Sequence, residues 1–91
     1  MIKYLIYSGK SIRNDTIILT KDLTAYGINA SSKGWFDCTE TFWDYMIGDE
    51  ELTNVYDTDK TDAVRLMRMN GINEKYVKEV EEDKFPHLEE N

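Results

Sequence analysis

The alternation of apolar and polar positions in the first third of the chain predicts two β-strands. Residues 2–8 (IKYLIYS) place apolar side chains on both faces of an extended chain, which is typical of a strand in the middle of a sheet. Residues 16–20 (TIILT) are rich in β-branched side chains and predict a second strand. The connection between the two strands is short and rich in turn-forming residues. We therefore expect the strands to pair as an antiparallel hairpin.

Farther along the chain the apolar positions recur with the helical period of about 3.6 residues. Together with capping residues they predict three helices, near 38–47, 59–70 and 74–84. In the first helix the expected inward face consists of Phe42, Trp43, Met46 and Ile47. Asn70-Gly71 and Pro86 predict the ends of the second and third helices, followed by a frayed tail at 87–91.

Three shorter segments complete the predicted secondary structure. A short helix is expected from Thr20 or Asp22 to Tyr26, ended by Gly27. Residues 34–37 predict a short strand, and residues 52–56 predict a strand or an extended link. The sequence therefore predicts one α+β domain over residues 1–91, with a small antiparallel sheet from the N-terminal half packed by about three helices from the C-terminal half.

The charges are distributed unevenly along this fold. Residues 1–36 carry five cations and two acids (net +3), whereas residues 37–91 carry six cations and 16 acids (net −10), giving −7 for the chain. An acidic surface repels nucleic acids and anionic membranes, so we expect neither as a direct partner. One cysteine and the absence of a long apolar run favour a cytoplasmic protein.

The acids from residue 49 onward are the predicted contact surface for a basic partner. Side chains three or four residues apart are neighbours on a helix, so the last helix is expected to present a row of acids that the preceding acids extend. The predicted partner-binding residues are Asp49, Glu50, Glu51, Asp57, Asp59, Glu74, Glu79, Glu82 and Asp83. The alternative is an ordinary solvated face, because Lys75 and Lys78 interrupt the row.

Five of the 11 aromatic residues lie between residues 35 and 45: Trp35, Phe36, Phe42, Trp43 and Tyr45. A chain of 91 residues cannot easily bury them all, and tryptophan and tyrosine are favoured as interface anchors. We expect Phe42 and Trp43 to lie in the core, and Trp35 and Tyr45 to lie in or beside a homodimer or partner contact. The alternative is that all five belong to the core.

The sequence contains no catalytic or metal-binding signature, and we predict a non-enzymatic protein without a cofactor. Asp57, Asp59 and Asp62 lack the turn glycine of a calcium loop and fit the start of a helix instead. Cys38 is expected to be a small buried residue. No spacing pairs it with His87, and no phosphate-binding glycine loop or serine nucleophile elbow is present.

In length, acidity and the composition of residues 56–84 (YDTDKTDAVRLMRMNGINEKYVKEVEEDK), the chain resembles the small early proteins of T-even phages, in particular the anti-restriction endonuclease proteins, which are acidic DNA mimics. The resemblance covers the whole chain in size and charge and rests on no motif, so no residue role is carried over. It implies a cytoplasmic homodimer that occupies the DNA-binding surface of a host restriction endonuclease. The net +3 of residues 1–36 departs from a uniformly acidic mimic and would confine the mimicry to one side.

Charge alone predicts the same class of function. An acidic inhibitor of a basic, nucleic-acid-binding protein would associate quickly, and its association would weaken with salt. The alternative is a regulatory interaction module, such as an antitoxin or an assembly adaptor, that binds through the aromatic residues.

Overall fold

A computed structural model of the protein describes residues 1–9, 15–48 and 54–86. In these ranges the elements follow the order β1 (Lys3–Tyr7), β2 (Thr16–Lys21), β3 (Thr24–Ile28), β4 (Phe36–Asp37), α1 (Thr39–Met46), β5 (Val55–Thr58), α2 (Lys60–Met69) and α3 (Glu74–Glu81). The strands form one sheet in the order β4-β3-β2-β1-β5, and all neighbouring strands are antiparallel. The protein therefore has the predicted α+β fold.

Both faces of the sheet are covered by helices. The face toward α2 and α3 carries buried strand residues, namely Ile6, Ile17, Leu19 and Ile28. The opposite face packs against α1 through a second set, namely Leu5, Ile18, Ala25 and Val55. Because alternate residues of a strand point to opposite faces, this double covering explains why residues 2–8 are apolar on both sides, and β1 lies inside the sheet as predicted.

A tight hairpin joins β2 to β3, so the prediction of a short helix ending at Gly27 is wrong. Lys21 pairs with Thr24, and the two loop residues, Asp22 and Leu23, both have positive φ (51° and 61°). Two successive positive φ values are the mark of a type I′ turn, whose twist matches that of antiparallel strands. Leucine rarely adopts this conformation, so the sequence lacks the residues that usually predict such a turn.

The helix over 59–70 agrees with its prediction. Asp59 is the N-cap, and its side chain accepts the Asp62 N–H at 2.8 Å. At the other end Gly71 has a φ of 72°, and the Ile72 N–H donates to the Met67 carbonyl. These contacts form a Schellman motif. Between the two ends, an apolar stripe of Ala63, Val64, Leu66 and Met67 is buried.

The last helix begins as predicted after its cap Asn73 but ends at Glu81, three residues before the predicted position 84. Its stop is a second Schellman motif, in which Asp83 adopts a φ of 60° and the Lys84 N–H donates to the Glu79 carbonyl. Pro86 lies beyond this stop and is not what ends the helix. The predicted frayed tail, 87–91, lies outside the described residues.

Candidate functional site

Helix α1 turns a tryptophan toward solvent. Phe42 is buried against the sheet, and Tyr45 and Met46 are half-buried beside it. Trp43 and Ile47 remain 43% and 42% exposed. The prediction that these two residues share the inward face is therefore wrong. Residues 42, 45 and 46 are three or four apart and form one stripe, whereas 43 and 47 lie on the other side of the helix.

The side of α1 away from the sheet is acidic as well as apolar. We call its four exposed residues, Glu40, Trp43, Asp44 and Ile47, the α1 outer face. Glu40 and Asp44 are one turn apart, and Trp43 and Ile47 are likewise one turn apart. The surface therefore alternates acidic and apolar groups without a basic residue.

Asp37 adds a third carboxylate at the start of this helix. Its Oδ1 accepts the Thr39 backbone N–H at 2.8 Å, which satisfies one of the free N–H groups of the first turn. Hydrogen bonding from Thr39, first through its side chain and second through its backbone, lowers the pKa of Asp37. Asp37 is therefore charged at neutral pH. Together, Asp37, Glu40 and Asp44 are called the α1 carboxylates.

These carboxylates surround an open depression of about 600 Å³. Its described lining consists of Asp37, Cys38, Thr39, Glu40, Thr41, Trp43 and Asp44. Three of these seven residues are acids, and none is lysine or arginine. No lysine or arginine occurs anywhere between residues 37 and 48, and none of the α1 carboxylates forms an ion pair with a residue in the described part of the chain.

Cys38 lines the same depression but is chemically inert. Its side chain is buried, as predicted. Burial, and to a lesser extent the neighbouring charge of Asp37, raises the pKa of the thiol to about 12. The thiol is therefore protonated at neutral pH and is not a nucleophile. Within the three described ranges, no group of three or more His, Cys, Asp or Glu side chains could hold a metal ion.

Most acids of α3 and of the turn that follows it, in contrast, are paired with cations. Arg68 of α2 bridges Glu74 and Glu81, with Nη2–Oε1 distances of 2.6 and 3.1 Å. The hydrogen bond from Arg68 lowers the pKa of Glu74. Two further pairs join Lys60 to Asp83 at 2.7 Å and Lys84 to Glu82 at 2.9 Å.

The predicted acidic row on the last helix is consequently close to neutral. Residues 59–84 contain seven acids and six cations, a net charge of −1. Two of the acids also have structural roles, since Asp59 caps α2 and Glu79 accepts a hydrogen bond from the indole of Trp35. Residues 37–48, with three acids and no cation, carry a net charge of −3 in half the length.

The remaining predicted partner-binding acids lie elsewhere. Asp57 is opposite Leu5 in the β1–β5 ladder and therefore faces the α1 side of the sheet. There it shares a depression of about 300 Å³ with Lys3 and Lys21. Asp49, Glu50 and Glu51 lie outside the described residues. The structure thus divides the predicted acids between the two sides of the sheet.

Trp35 is not the surface aromatic that the sequence predicts. It is only 9% exposed and belongs to the core between the sheet and the α2–α3 pair. Its Nε1 donates to Glu79 Oε2 at 3.1 Å. Tyr45, the second residue predicted at a dimer contact, is half-buried against the other core. The homodimer itself stays a prediction.

The residues of the depression at α1 are not among those that the sequence predicts at a contact. The sequence places Trp43 in the core and does not place Glu40 or Asp44 at a partner-binding surface. The sequence does contain a signal for this site, namely the absence of lysine and arginine from residues 37–48. A net charge summed over residues 37–91 does not show it.

No family model, curated protein or solved structure matches the chain. Along the described ranges, no helix has the length and apolar character needed to cross a bilayer.

Proposed function

We propose that the protein is a non-enzymatic, acidic DNA mimic that inhibits a basic nucleic-acid-binding protein by occupying its nucleic-acid-binding surface. The observation that carries the proposal is the depression at α1, where Asp37, Glu40 and Asp44 lie together without a described lysine or arginine. Each of them is free to meet a cation of another protein. A basic groove built to neutralise phosphates offers such cations.

Acids without an ion pair are better suited to contact the cations of a basic groove than acids that already have one. An exposed ion pair contributes only about 0–1 kcal/mol, so the pairs at Arg68 and Lys60 can exchange their partners at small cost. The α1 carboxylates give up no described ion pair when they bind. The acids of α3 accordingly have a supporting role, while the net charge of −7 attracts a basic protein from a distance.

The class of partner follows from this chemistry. A protein whose groove carries several lysines and arginines matches the acidic side of the molecule. A restriction endonuclease is the partner that the resemblance to T-even phage proteins implies, and it belongs to this class. The proposal places the protein in the groove in place of DNA, so that the partner cannot bind both.

Recovery of partners at two salt concentrations tests the proposal. The immobilised protein is incubated with host lysate at about 50 mM and about 300 mM salt, which spans the range in which charge contacts are screened. We expect basic nucleic-acid-binding proteins at low salt only. Each recovered protein is then loaded with labelled DNA, and we expect the acidic protein to displace it. A partner that keeps its DNA while bound would contradict mimicry.

A second candidate is an adaptor that binds through apolar contacts. Trp43 and Ile47 favour it, since two large exposed side chains one turn apart are suited to a partner surface. Such an adaptor would keep its partner at high salt, because apolar burial is not screened. The recovery experiment therefore separates the two candidates.

A further inference from the structure

Trp43 gives the acidic depression an aromatic side. Trp43 lines the cavity together with Asp37, Glu40 and Asp44, and 43% of the residue is exposed. Ile47 extends the apolar strip by one turn and is 42% exposed. An exposed apolar strip of this kind is suited to binding another molecule. The charges around it restrict which molecule can bind.

Three kinds of occupant fit poorly. A purely apolar surface would desolvate Asp37, Glu40 and Asp44 without pairing them, which is costly. A nucleic acid or another anion would be repelled. A second copy of the chain, related by a two-fold axis through this face, would bring the same three carboxylates against their equivalents.

A cation with a flat apolar face fits all the surrounding groups. The positive end of the α1 dipole opposes a bound cation, but it amounts to only about half a charge. Asp37 and Glu40 supply two negative charges at that end of the helix, and Asp44 supplies a third one turn farther along. An arginine guanidinium is planar, is weakly hydrated, stacks on aromatic rings and donates two parallel hydrogen bonds to a carboxylate. A lysine ammonium offers only a compact, strongly hydrated charge.

We propose that the α1 outer face docks an arginine-bearing basic segment of a partner protein, with a guanidinium stacked on Trp43 and paired with the α1 carboxylates. This inference rests on the proposed function in that it names the chemistry by which the same acidic surface recognises its partner. It makes α1 selective for arginine over lysine. Attraction by net charge alone would not distinguish these two side chains.

Two peptides of equal length and charge test the selectivity. One alternates arginine with glycine, the other alternates lysine with glycine, and each carries a fluorescent label for anisotropy titration with the full chain. We expect the arginine peptide to bind about three- to tenfold more tightly, the range that cation–π contacts support. In Trp43→Leu the preference for the arginine peptide should become smaller, because the stacking ring is lost while the carboxylates that pair with a guanidinium remain.

Tyr56 provides the matched control. It is 45% exposed and, being paired with Ile6 in the sheet, faces the α2–α3 side. Tyr56→Leu removes an aromatic ring of similar exposure from the opposite face and should preserve the preference for arginine. Equal affinities of the two peptides for the parent protein would overturn the proposal, as would loss of the preference in Tyr56→Leu.

A second readout follows Trp43 itself. In a Trp35→Phe background Trp43 is the only tryptophan, and the arginine peptide should change its fluorescence more than the lysine peptide does. If Trp43→Leu instead abolishes self-association in sedimentation and leaves the peptide affinities unchanged, the face is an interface between copies of the chain and the proposal is wrong.

The two proposals fail in different experiments. Arginine selectivity is measured on peptides without any partner protein, whereas DNA mimicry is measured as displacement of DNA. A protein that prefers arginine but leaves DNA bound would retain the docking inference and reject the mimicry. A protein that displaces DNA without preferring arginine would do the reverse.

Discussion

Trp35 and Trp43 lie eight positions apart in the chain and have opposite environments. Trp35 is enclosed between the sheet and the α2–α3 pair, with its indole N–H bonded to Glu79. Trp43 is on the solvent side of α1. The sequence predicts the reverse. The four apolar residues 42, 43, 46 and 47 do not establish which of the adjacent aromatic residues, Phe42 or Trp43, faces inward. That choice depends on how α1 sits on β3.

Removing each tryptophan should therefore have very different consequences for stability. Trp35→Ala deletes a buried ring and is expected to lower the free energy of unfolding by about 3–5 kcal/mol. Trp43→Ala alters an exposed side chain and should cost less than about 1 kcal/mol. Urea denaturation followed by far-UV circular dichroism measures both. Equal losses, or a larger loss for Trp43→Ala, would contradict the assignment of these two residues to core and surface.

At the scale of elements, local signals were enough to place most of the fold. The strands predicted from residues 2–8 and 16–20, and the helix starts predicted near 59 and 74, appear in the structure at the predicted positions. These signals are local because a cap or a period of two acts within a few residues. The β2–β3 hairpin was missed because its turn places leucine at positive φ, where glycine or asparagine is the usual sign.

The cap of α2 offers a direct test at this scale. Asp59→Ala leaves the Asp62 N–H without its acceptor and should lower the free energy of unfolding by about 0.5–2 kcal/mol. Asp59→Asn keeps an acceptor oxygen and removes the charge, so it should cost much less. Denaturant titration of both variants checks the prediction. If Asp59→Asn were as destabilising as Asp59→Ala, the charge of Asp59 would matter more than its hydrogen bond.

Over the whole molecule, the sequence predicts the sign of the net charge but not where on the surface the charge lies. Ion pairs such as Arg68 with Glu81 and Lys60 with Asp83 join α2 to α3 and to the turn after it, and a count of charges along the chain does not show them. They neutralise most of the row that was predicted to bind a partner. The carboxylates at α1 have no such neighbours among the described residues, and the acidic surface is therefore on the other side of the sheet from α2 and α3.

The homodimer remains a prediction at this scale, and Tyr45 is the residue still expected at its contact, since Trp35 lies in the core. Sedimentation velocity of the free protein at micromolar concentration decides it. A dimer is expected at both low and high salt if the contact avoids the α1 carboxylates. A monomer at all concentrations would reject the homodimer.

The central claim is that the α1 carboxylates dominate recognition of a basic partner. Two variants with the same net charge test it: Asp37→Asn with Glu40→Gln and Asp44→Asn on α1, and Glu74→Gln with Glu82→Gln and Asp83→Asn on α3. Each changes the net charge from −7 to −4. Both should fold, because these side chains are exposed and each exposed ion pair that the α3 variant loses contributes only about 0–1 kcal/mol.

The decisive measurement is the association rate constant of the parent and both variants with a recovered partner, as a function of salt. At low salt we expect the α1 variant to associate about tenfold more slowly, within the range of electrostatic steering, and to depend less on salt than the parent. The α3 variant should remain close to the parent. Equal slowing of the two variants, or a larger effect on α3, would contradict the account.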